Sequence, residues 1–489
     1  MKKRERIIFY IVAICGLIVI STIALNINKP KEKLNILLIT LDALRPDHLG
    51  CYGYQRNTSP AIDSIASSGT IFMQVIAQSP FTLDSVPSFY TSAYPYEHPN
   101  YFTGDFGVIL NDKTVSLSKI LKQHGYRTFF ITNHQLHLGK IEGLLDNFDF
   151  YIGCEEKKPR EITQRAVKCL RENKDKRFFL WLYFMSPHGP YNPSEPYIKD
   201  FYVDALSQGK NYLPVFNLEH PGPQGYFNGI PDYIVEDGIT EANYYIAKYD
   251  AKLRIADDLI AGLIESLKEL GLYDNTLIVI MSDHGESLGE HDYYFNHGLT
   301  MYDEVLRVPL IIRLPGIVSK GKRISSQVCL LDLTPTIIEA AGITQKYKSM
   351  RGKSLLDCIL EEETCGDRYV FSNMMDWTFS IRTEKWKLIH IRLDIVKNYP
   401  LIYEWLGNHY KNEYEFYNLE SDPLEKHDLL IDDKLNEEEN AGLLDLSSRL
   451  KGYEQGQQDY FRSYPKKKTL RPEADAEEKE KLKSLGYVQ

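Results

Sequence analysis

Residues 276–285 read Thr276-Leu-Ile-Val-Ile-Met-Ser-Asp283-His284-Gly285, an apolar run that ends abruptly in an acid, an imidazole and a glycine. The β-branched residues of this run predict a buried strand. Ligands of open α/β sheets bind at the carboxyl ends of the strands, which is where Asp283 and His284 lie. Their side chains offer one oxygen and one nitrogen to a divalent cation, whereas in isolation the pair is equally typical of a polar turn.

The rest of the chain predicts an α/β fold around this strand. Predicted strands alternate with helical patterns up to about residue 345, which indicates βαβ units and a doubly wound, mostly parallel sheet flanked by helices. Four short strands then follow closely between residues 369 and 419 and predict a smaller C-terminal antiparallel sheet with helices. We therefore predict a catalytic domain over residues 34–365 and a C-terminal subdomain over residues 366–489.

Other predicted strands also end in polar residues. The apolar run from Leu34 ends at Asp42, and a carboxylate there is costly unless it meets a cation, although it could also cap a following helix. His297 lies just beyond the Asp-His pair, and this position favours a role in the site over that of an ordinary surface histidine. The polar residues that follow predicted strands, and are candidates for one site, are Asp42, Asn133, His134, His188, His291 and His297.

Thr82 lies close to a predicted helix start. Asp84 and Ser85 are of types that cap helices, and Pro87 suits a first turn. Thr82 would then lie just before the helix N-terminus, where backbone N–H groups and the helix dipole favour an alkoxide or a bound anion. A lone threonine at such a place is usually a turn residue, so its role depends on its neighbours.

The N-terminus carries an apolar run from Ile7 to Leu25 after the segment Lys2-Lys-Arg-Glu-Arg6, in which four of the five residues are basic. At about 1.5 Å per residue this run just crosses a bilayer core of about 30 Å. It is longer than the apolar part of a signal peptide and lacks a good cleavage site. We predict an uncleaved membrane anchor over residues 1–28 and a tether over residues 29–33. The protein would be a single-pass membrane protein whose catalytic domain lies outside the cytoplasm.

Composition excludes some functions. The formal net charge of −10 argues against a nucleic-acid partner and favours a small-molecule or glycan substrate. The seven cysteines are odd in number and scattered, without zinc-type spacing. A bond between Cys358 and Cys365 cannot be deduced from the sequence. The oligomeric state is left open.

Taken together, these pieces resemble the sulfatase family of the alkaline phosphatase superfamily. The resemblance covers most of the chain after the tether and rests on an ordered set of motifs. They include Asp42 with Arg45-Pro-Asp-His-Leu-Gly-Cys-Tyr-Gly, the block Thr82–Pro95, Pro187-His188-Gly-Pro-Tyr, Ser282-Asp-His-Gly-Glu-Ser-Leu-Gly-Glu-His and Arg307-Val-Pro-Leu-Ile-Ile.

The resemblance implies an alkaline-phosphatase-like fold and a metal-dependent active site. It implies metal ligands at Asp42, Thr82, Asp283 and His284, a nucleophile at Thr82, and contacts of His188 and His297 with the transferred ester or its leaving oxygen. Asn133, His134, His291 and Ser85 are further candidates for substrate contact. Alignment on Pro87 would make Ser85 the nucleophile, whereas alignment on Thr91-Ser-Ala-Tyr94-Pro95 selects Thr82 without a gap.

Two departures from the family pattern affect the expected chemistry. Ala43 stands where sulfatases carry a second aspartate, and Val86 stands where they carry the arginine of the formylglycine motif. Loss of one hard oxygen ligand beside His284 favours manganese, zinc or magnesium over calcium as the single divalent cation. With no cysteine at 82 or 85, maturation to formylglycine is not expected.

We therefore predict a hydrolase or transferase that cleaves a phosphate ester or phosphodiester through a covalent Thr82 intermediate. A phosphothreonine can be resolved by attack at phosphorus, whereas a sulfated plain threonine lacks the elimination route of a formylglycine hydrate. One alternative is a sulfatase that acts on sulfated glycans or small sulfate esters. A second is a catalytically inactive, membrane-tethered binding protein. The substrate would be a small molecule, a lipid head group or a glycan.

Overall fold

The fold is seen in a computed structural model, which describes residues 34–98, 100–103, 105–155, 158–194, 196–207, 211–217, 227–317, 321–360, 364–397, 406, 409–410, 412–431 and 434–463. Apolar, β-branched runs form its central sheet. The strands of this sheet are β1 (Asn35–Leu41), β2 (Thr70–Ile76), β3 (Arg127–Thr132), β4 (Phe150–Gly153), β5 (Phe178–Phe184), β6 (Thr276–Met281), β7 (Arg307–Arg313) and β8 (Lys322–Cys329).

The central sheet has the strand order β8-β2-β7-β6-β1-β5-β3-β4. Strand β7 is antiparallel to both of its neighbours, and the other neighbouring strands are parallel. The predicted mostly parallel sheet is confirmed. The strand β1 pairs with β6 on one side and β5 on the other, so Thr40 lies opposite both Met281 and Tyr183. This register brings the residues that follow β1 and β6 to the same edge.

Helices cover both faces of this sheet, as the parallel strands require. The helices are α1 (Pro60–Ser67), α2 (Thr82–Thr91), α3 (Leu117–Gln123), α4 (Gln135–Leu138), α5 (Arg160–Glu172), α6 (Tyr197–Ser207), α7 (Ala242–Glu269), α8 (Asp303–Leu306), α9 (Leu333–Ala340), α10 (Leu356–Leu360), α11 (Leu393–Val396) and α12 (Glu437–Ser463). Single 3-10 turns lie at Pro46–His48, Gly50–Tyr52, Pro95–Glu97, Asp232–Ile234, Tyr273–Asn275, Glu290–Asp292 and Leu330–Asp332.

Each face of the sheet has its own apolar contacts. On one face, alternate residues of β1 pack in one cluster with residues of α1, α5 and α7. On the other face, Trp181 of β5 contacts the rings of Phe89 and Tyr90 on α2. Every residue of β1 and β5 is buried, which explains why these strands read as continuous apolar runs and not as alternating ones.

A smaller antiparallel sheet follows, as predicted. Its strands are β9 (Val370–Met374), β10 (Thr378–Arg382), β11 (Trp386–Ile391) and β12 (Tyr414–Asn418), in that order. Leu446, Leu450 and Tyr453 of α12 pack on one face of it. Met301, Tyr302 and other residues near α8 pack with the opposite face. The C-terminal sheet is thus held between its own helix and the segment that precedes β7.

Short strands lie outside the two main sheets. They are Asn100–Thr103, Asp105–Ile109 and Ile141–Glu142 in one group, Val215–Phe216 with Ile230–Pro231, and Ser287–Leu288 with Tyr294–Asn296. The last pair forms an antiparallel ribbon, here called the 287–296 hairpin. Cys358 and Cys365 are joined by a disulfide, which the sequence had left open.

The predicted membrane location is corrected by the structure. Within the described residues, every helix is either too short or too polar to span a bilayer. This finding contradicts the single-pass location and gives no support to the membrane as a partner. The apolar run at residues 7–25, on which that prediction rested, lies outside the described residues.

Candidate active site

Asp42, Asp283 and His284 meet at one edge of the central sheet. Asp42 directly follows β1, and its backbone N–H donates to the carbonyl of Phe184 at the end of β5, at 2.9 Å. Asp283 and His284 follow the neighbouring strand β6. All three residues are fully buried, and each offers a ligand atom within 4.8 Å of the others. Pairing of β1 with β6 therefore builds the cluster that the strand ends predicted.

The carboxylates of this cluster are short of positive partners. Within the described residues, both carboxylate oxygens of Asp42 and Oδ1 of Asp283 are buried without a hydrogen bond. The other oxygen of Asp283 accepts from the Tyr183 hydroxyl at 2.8 Å. Burial raises the pKa of Asp42 well above its usual range, and the charges of Asp283 and Glu286 raise it further. A cation between two such buried acids would stabilise their ionised forms.

His284 presents an unprotonated nitrogen to the acids. Its Nδ1 lies 2.8 Å from the Gly285 carbonyl, which can only accept, so Nδ1 carries the hydrogen. Nε2 then has a free lone pair and lies 3.4 Å from Asp42 Oδ1 and 3.5 Å from Asp283 Oδ2. Burial lowers the pKa of His284, which favours this neutral form. The donor set of two carboxylates and one neutral imidazole fits a divalent cation.

Gly285 is required by a close backbone approach. A Cβ at this position would lie 2.1 Å from the carbonyl oxygen of Glu304. The Gly285 N–H donates to the Val305 carbonyl at 2.8 Å, so the turn after β6 is held against α8. The glycine that follows Asp283 and His284 thus lets the segment before β7 pack directly beneath the cluster.

The turn after β1 is also held firmly. Ala43, where the family pattern has a second aspartate, is buried and adopts a left-handed φ of 59°. The Tyr249 hydroxyl on α7 donates to the Ala43 carbonyl at 2.8 Å and accepts from the Arg45 N–H at 3.0 Å. A left-handed alanine is unfavourable by itself, so this clamp stabilises the sharp turn that directs Asp42.

Helix α2 begins at Thr82, earlier than predicted. The N–H groups of Asp84 and Ser85 donate to the Phe81 carbonyl, so both residues lie inside the helix and neither caps it. Pro87 also lies within the helix and not in its first turn. Thr82 is thus the first helical residue, which keeps it at the N-terminal end where negative charge is stabilised.

Thr82, and not Ser85, faces the cluster with its hydroxyl. Thr82 Oγ1 lies 3.0 Å from His284 Nε2 and donates to it, because that nitrogen is unprotonated. The Ser85 hydroxyl donates to the backbone carbonyl of Asp283 at 2.6 Å. Both residues are fully buried. This geometry supports the alignment that selects Thr82. The hydrogen bond of Ser85 attaches α2 to the turn after β6.

Two more predicted histidines lie beside the cluster. The ring of His297 is 4.3 Å from that of His284 and 4.9 Å from that of His188. His297 Nδ1 lies 2.9 Å from Glu286 Oε1, which orients the ring. His188 is buried, and burial lowers its pKa well below the usual value. The structure therefore brings both residues into the site.

His134 and Asn133, which follow β3, lie near Asp42 of the cluster. His134 Nε2 is 3.4 Å from Asp42 Oδ2, and burial lowers the pKa of His134 to about 3, so the ring is neutral. The Asn133 side-chain oxygen accepts from the Met185 N–H at 2.9 Å and ties the loop after β3 to the one after β5. His134 thus lines the site, and Asn133 supports its wall.

His291 makes its contacts elsewhere. Its Nδ1 lies 2.9 Å from Glu304 Oε1, and its Nε2 lies 2.9 Å from the Glu425 carbonyl. Its ring stacks on Tyr302 with centroids 3.6 Å apart. None of these contacts is with the cluster, so substrate contact by His291 stays a prediction without geometric support.

Three supporting residues were missed in the sequence. Tyr183 donates to Asp283 from the end of β5, and Glu286 orients His297. Lys252 on α7 donates to the His188 carbonyl and, at 3.2 Å, to the Pro190 carbonyl, which holds the loop of His188. Glu286 carried a signal, because it directly follows the Asp-His-Gly motif. Tyr183 and Lys252 carried none, since nothing in a strand or helix pattern marks a single phenol or amine.

Alignments with known proteins cover most of the chain. An N-acetylglucosamine-6-O-sulfatase of Bacteroides thetaiotaomicron is 24% identical, and the match covers 81% of this chain and 82% of the relative. An arylsulfatase of Clostridium perfringens is 25% identical, with 88% of this chain and 98% of the relative covered. A protein solved in complex with its substrate D-glucosamine-2-N,6-O-disulfate superposes with a TM-score of 0.64 at 20% identity, over 90% of this chain and 100% of that one.

Two family models match the chain. The sulfatase model covers residues 34–343, and the model of the C-terminal region of N-sulphoglucosamine sulphohydrolase covers residues 289–451. With the relatives, these matches support hydrolysis of a sulfuric ester, which was the alternative prediction, better than the predicted cleavage of a phosphate ester. Since the first model alone spans more than half of the chain, the protein belongs to the sulfatase family.

Proposed function

We propose that this protein is a divalent-cation-dependent sulfatase that hydrolyses sulfate esters on carbohydrates or small molecules. One observation carries the proposal: Asp42, Asp283 and His284 converge in a fully buried cluster in which three of the four carboxylate oxygens lack hydrogen bonds, and Thr82 faces it. The sulfated sugars acted on by the relatives suggest the carbohydrate class.

The cluster suits a small divalent cation. Its ligands would be Asp42, Asp283, His284 and the hydroxyl of Thr82. When bound, such a cation polarises ester oxygens and lowers the pKa of a coordinated hydroxyl. A nitrogen donor and only two carboxylates favour manganese, zinc or magnesium over calcium.

Thr82 is the proposed nucleophile. Its Oγ1 lies at the N-terminus of α2, where backbone N–H groups stabilise negative charge as it develops. Attack by Oγ1 on sulfur forms an O–S bond while the bond from sulfur to the ester oxygen breaks. Water then attacks the same sulfur, releases sulfate and restores the threonine hydroxyl. No formylglycine is needed for this route.

His188 and His297 are proposed to assist the leaving oxygen. Both rings lie beside the cluster, and Glu286 fixes the orientation of His297. Either imidazole, once it has taken up the proton that the Thr82 hydroxyl releases, can pass that proton to the departing oxygen, which matters most for an alkyl leaving group such as a sugar hydroxyl. His134 adds a polar contact. Because its ring is neutral, it does not compete with the cation for the Asp42 carboxylate.

A second candidate function is cleavage of a phosphate ester or phosphodiester. The observation that favours it is the plain threonine at position 82, because a phosphothreonine is resolved readily by attack at phosphorus. The same ligands and the same histidines would act. The two candidates therefore differ in substrate and not in the site.

Side-by-side turnover tests the two candidates. Purified protein is given p-nitrophenyl sulfate, p-nitrophenyl phosphate and bis-p-nitrophenyl phosphate with manganese, zinc, magnesium or calcium. We expect the sulfate ester to be turned over with the highest kcat/KM. Faster turnover of the phosphodiester would overturn the proposal in favour of the second candidate. No turnover of any ester, with no cation bound, would leave only the inactive binding protein.

The nucleophile is tested with three hydroxyl variants of α2. Thr82→Ala should lower kcat/KM by at least about 10³-fold, and Thr82→Ser should stay within about tenfold of the parent. Ser85→Ala tests the alternative alignment and should retain most activity. Ser88→Ala is the matched control, because the Ser88 hydroxyl only donates to the Asp84 carbonyl of its own helix, at 2.6 Å. Activity lost in Ser85→Ala but kept in Thr82→Ala would reverse the assignment.

A further inference from the structure

A cavity of about 510 Å³ lies next to the 287–296 hairpin. It is open to solvent on the side of the exposed residues Asn211 and Lys426. The turn of the hairpin forms one wall with Glu290 and Asp292, and the start of α7 forms another. Cavities of this size hold small ligands such as one or two sugar rings. None of the residues proposed for ester cleavage lines it.

One arginine joins this cavity to the active site. Arg45 Nη2 lies 2.8 Å from Oε1 of Glu290, which lines the cavity. Arg45 Nη1 donates to the backbone carbonyl of Glu286 at 3.2 Å, and the Glu286 carboxylate holds His297. Arg45 also follows Asp42 by three positions in the chain. Arg45 therefore links the cavity wall at Glu290 to the segment that holds His297.

The lining suits a ligand that donates and accepts hydrogen bonds. Asn211 and Asn243 contribute amides, and Tyr294 contributes a phenol beside the apolar residues Leu288 and Ile246. Sugar hydroxyls and an N-acetyl group make the same mixture of polar and apolar contacts. Polar groups at a few places around an apolar floor are typical of specific small-molecule sites.

The charges of the lining are close to balanced. Glu290 is paired with Arg45, the imidazole of His291 is paired with Glu304, and Asp292 shares the cavity with Lys426. A surplus of positive charge, as an acidic sugar would need, is not present among the described lining residues. An uncharged ring therefore fits this cavity better than a uronate or a second sulfate.

An exposed aromatic residue follows the lining residue Asn211. It is Tyr212, which forms an isolated bridge with Glu241, the residue before the lining residue Ala242. Tyr212 is 63% exposed. An exposed ring offers the flat apolar face on which the C–H groups of a sugar can stack.

We propose that this cavity is a subsite for an uncharged sugar residue, a hexose or an N-acetylhexosamine, that is linked to the sulfated ring. The inference rests on the proposed function and extends it from a single ester to a saccharide substrate. Asn211 and Tyr212 would contact the neutral ring, while the sulfate lies at Thr82. The subsite would add affinity for longer substrates without taking part in ester cleavage.

Kinetics with matched substrates test the subsite. Asn211→Ala and Tyr212→Ala are compared with the parent on p-nitrophenyl sulfate, a 6-sulfated N-acetylglucosamine disaccharide with an uncharged neighbour, and one with a uronate neighbour. We expect kcat/KM for the uncharged disaccharide to fall at least about tenfold, mostly through KM, and p-nitrophenyl sulfate to change less than about twofold. Gln455→Ala, an exposed amide on α12, is the control and should change neither.

Two outcomes would overturn the subsite while leaving the proposed function intact. One is turnover of p-nitrophenyl sulfate with equal loss, or no loss, on all three substrates in the variants. The other is preference of the parent for the uronate neighbour. If the parent cleaves no sulfate ester, the proposed function fails. The subsite is then tested by binding of an uncharged disaccharide and not by kinetics. N,N′-diacetylchitobiose is then titrated by calorimetry, and binding that weakens at least about fivefold in both variants supports it, whereas no binding to the parent overturns it.

Discussion

Two groups of buried charge in this protein differ in how their acids are neutralised. At the site, Asp42 and Asp283 face each other with three carboxylate oxygens lacking hydrogen bonds. Near the C-terminal sheet, Asp303 lies 3.0 Å from Arg382 and 2.9 Å from Lys387, and Lys387 lies 2.6 Å from Glu425. Arg382, Lys387 and Glu425 are buried and Asp303 is half-buried. The acids of this second group are paired with an arginine and a lysine, whereas Asp42 and Asp283 lie near the neutral ring of His284.

The pKa values follow this difference. Burial raises the pKa of Asp42, the charges of Asp283 and Glu286 raise it further, and the opposing effects of Tyr183 and Lys252 do not cancel this rise. Burial alone would raise the pKa of Asp303 as well, but Arg382 and Lys387 outweigh it and hold that pKa well below its usual range. The Asp303 group joins α8 to β10 and β11, and Asp303 is paired with cations of the chain, although burial raises the pKa of Glu425 in the same group to about 7 despite Lys387. The Asp42 group is the one that we propose to take up a cation from outside.

The largest effect is expected from removing a charge at the site. Asp42→Asn should lose the bound cation and lower kcat/KM by about 10⁴-fold, or roughly 5.5 kcal/mol of transition-state stabilisation. The cation-free protein should become more stable, because a buried, uncompensated carboxylate is gone. Elemental analysis and thermal melting measure the two results. Full cation content in the variant would contradict the comparison.

The same substitution in the other group should act in the opposite way on stability. Asp303→Asn leaves Lys387 and Arg382 without their acid and should cost about 3–5 kcal/mol of unfolding free energy. Bound cation should stay unchanged. The control is Asp445→Asn, which breaks an exposed pair with Arg449 and should cost less than about 1 kcal/mol. A neutral result for Asp303→Asn in denaturant unfolding would show that its group is not structural.

The dependence on pH sharpens the comparison further. Because the folded pKa of Asp42 is raised, its contribution to the stability of the cation-free protein is present at low pH and is lost as the pH rises through that value. A bound cation reverses this trend and should add about 2.7 kcal/mol at 100 times its Kd, with weaker binding at lower pH. Melting temperatures with and without manganese from about pH 5 to 8 test it. A shift that grows as the pH falls would exclude Asp42 as a ligand.

The smallest effect on activity and stability is expected for a hydroxyl that contacts only the backbone of a proposed ligand residue. Ser85→Ala removes the hydrogen bond to the Asp283 carbonyl and should cost about 1 kcal/mol of stability. Activity should fall less than about tenfold, since the ligands remain in place. Denaturant midpoints and steady-state kinetics measure both. A loss as large as that of Thr82→Ala would mean that Ser85 takes part in the reaction.

The strand ends made much of the site predictable. Asp42 and Asp283 each close an apolar run, and an acid at the end of a buried parallel strand has few explanations other than a ligand. His284 follows Asp283 at the same strand end, and Thr82 was located by the predicted helix start and preferred over Ser85 by its place in the ordered motifs. The mostly parallel sheet followed from the alternation of strands and helices.

Other features depend on the folded chain and leave no mark in the sequence. The run Arg307–Arg313 has the same pattern in either direction, so its antiparallel pairing in the sheet could not be seen. The start of α2 was misplaced because Asp84 and Ser85 are good caps, whereas in the fold the Ser85 hydroxyl is used by Asp283. Tyr183 and Lys252 reach the site from elements far apart in the chain.

The order of the strands has a consequence for biosynthesis. Strand β1 is made first among the strands of the central sheet, but its two neighbours are β5 and β6, which end at Phe184 and Met281. During translation β1 therefore waits without its final neighbour until most of the chain has left the ribosome, and pairing of such distant segments is slow. A nascent chain that stops before residue 276 leaves one edge of β1 without its neighbouring strand β6.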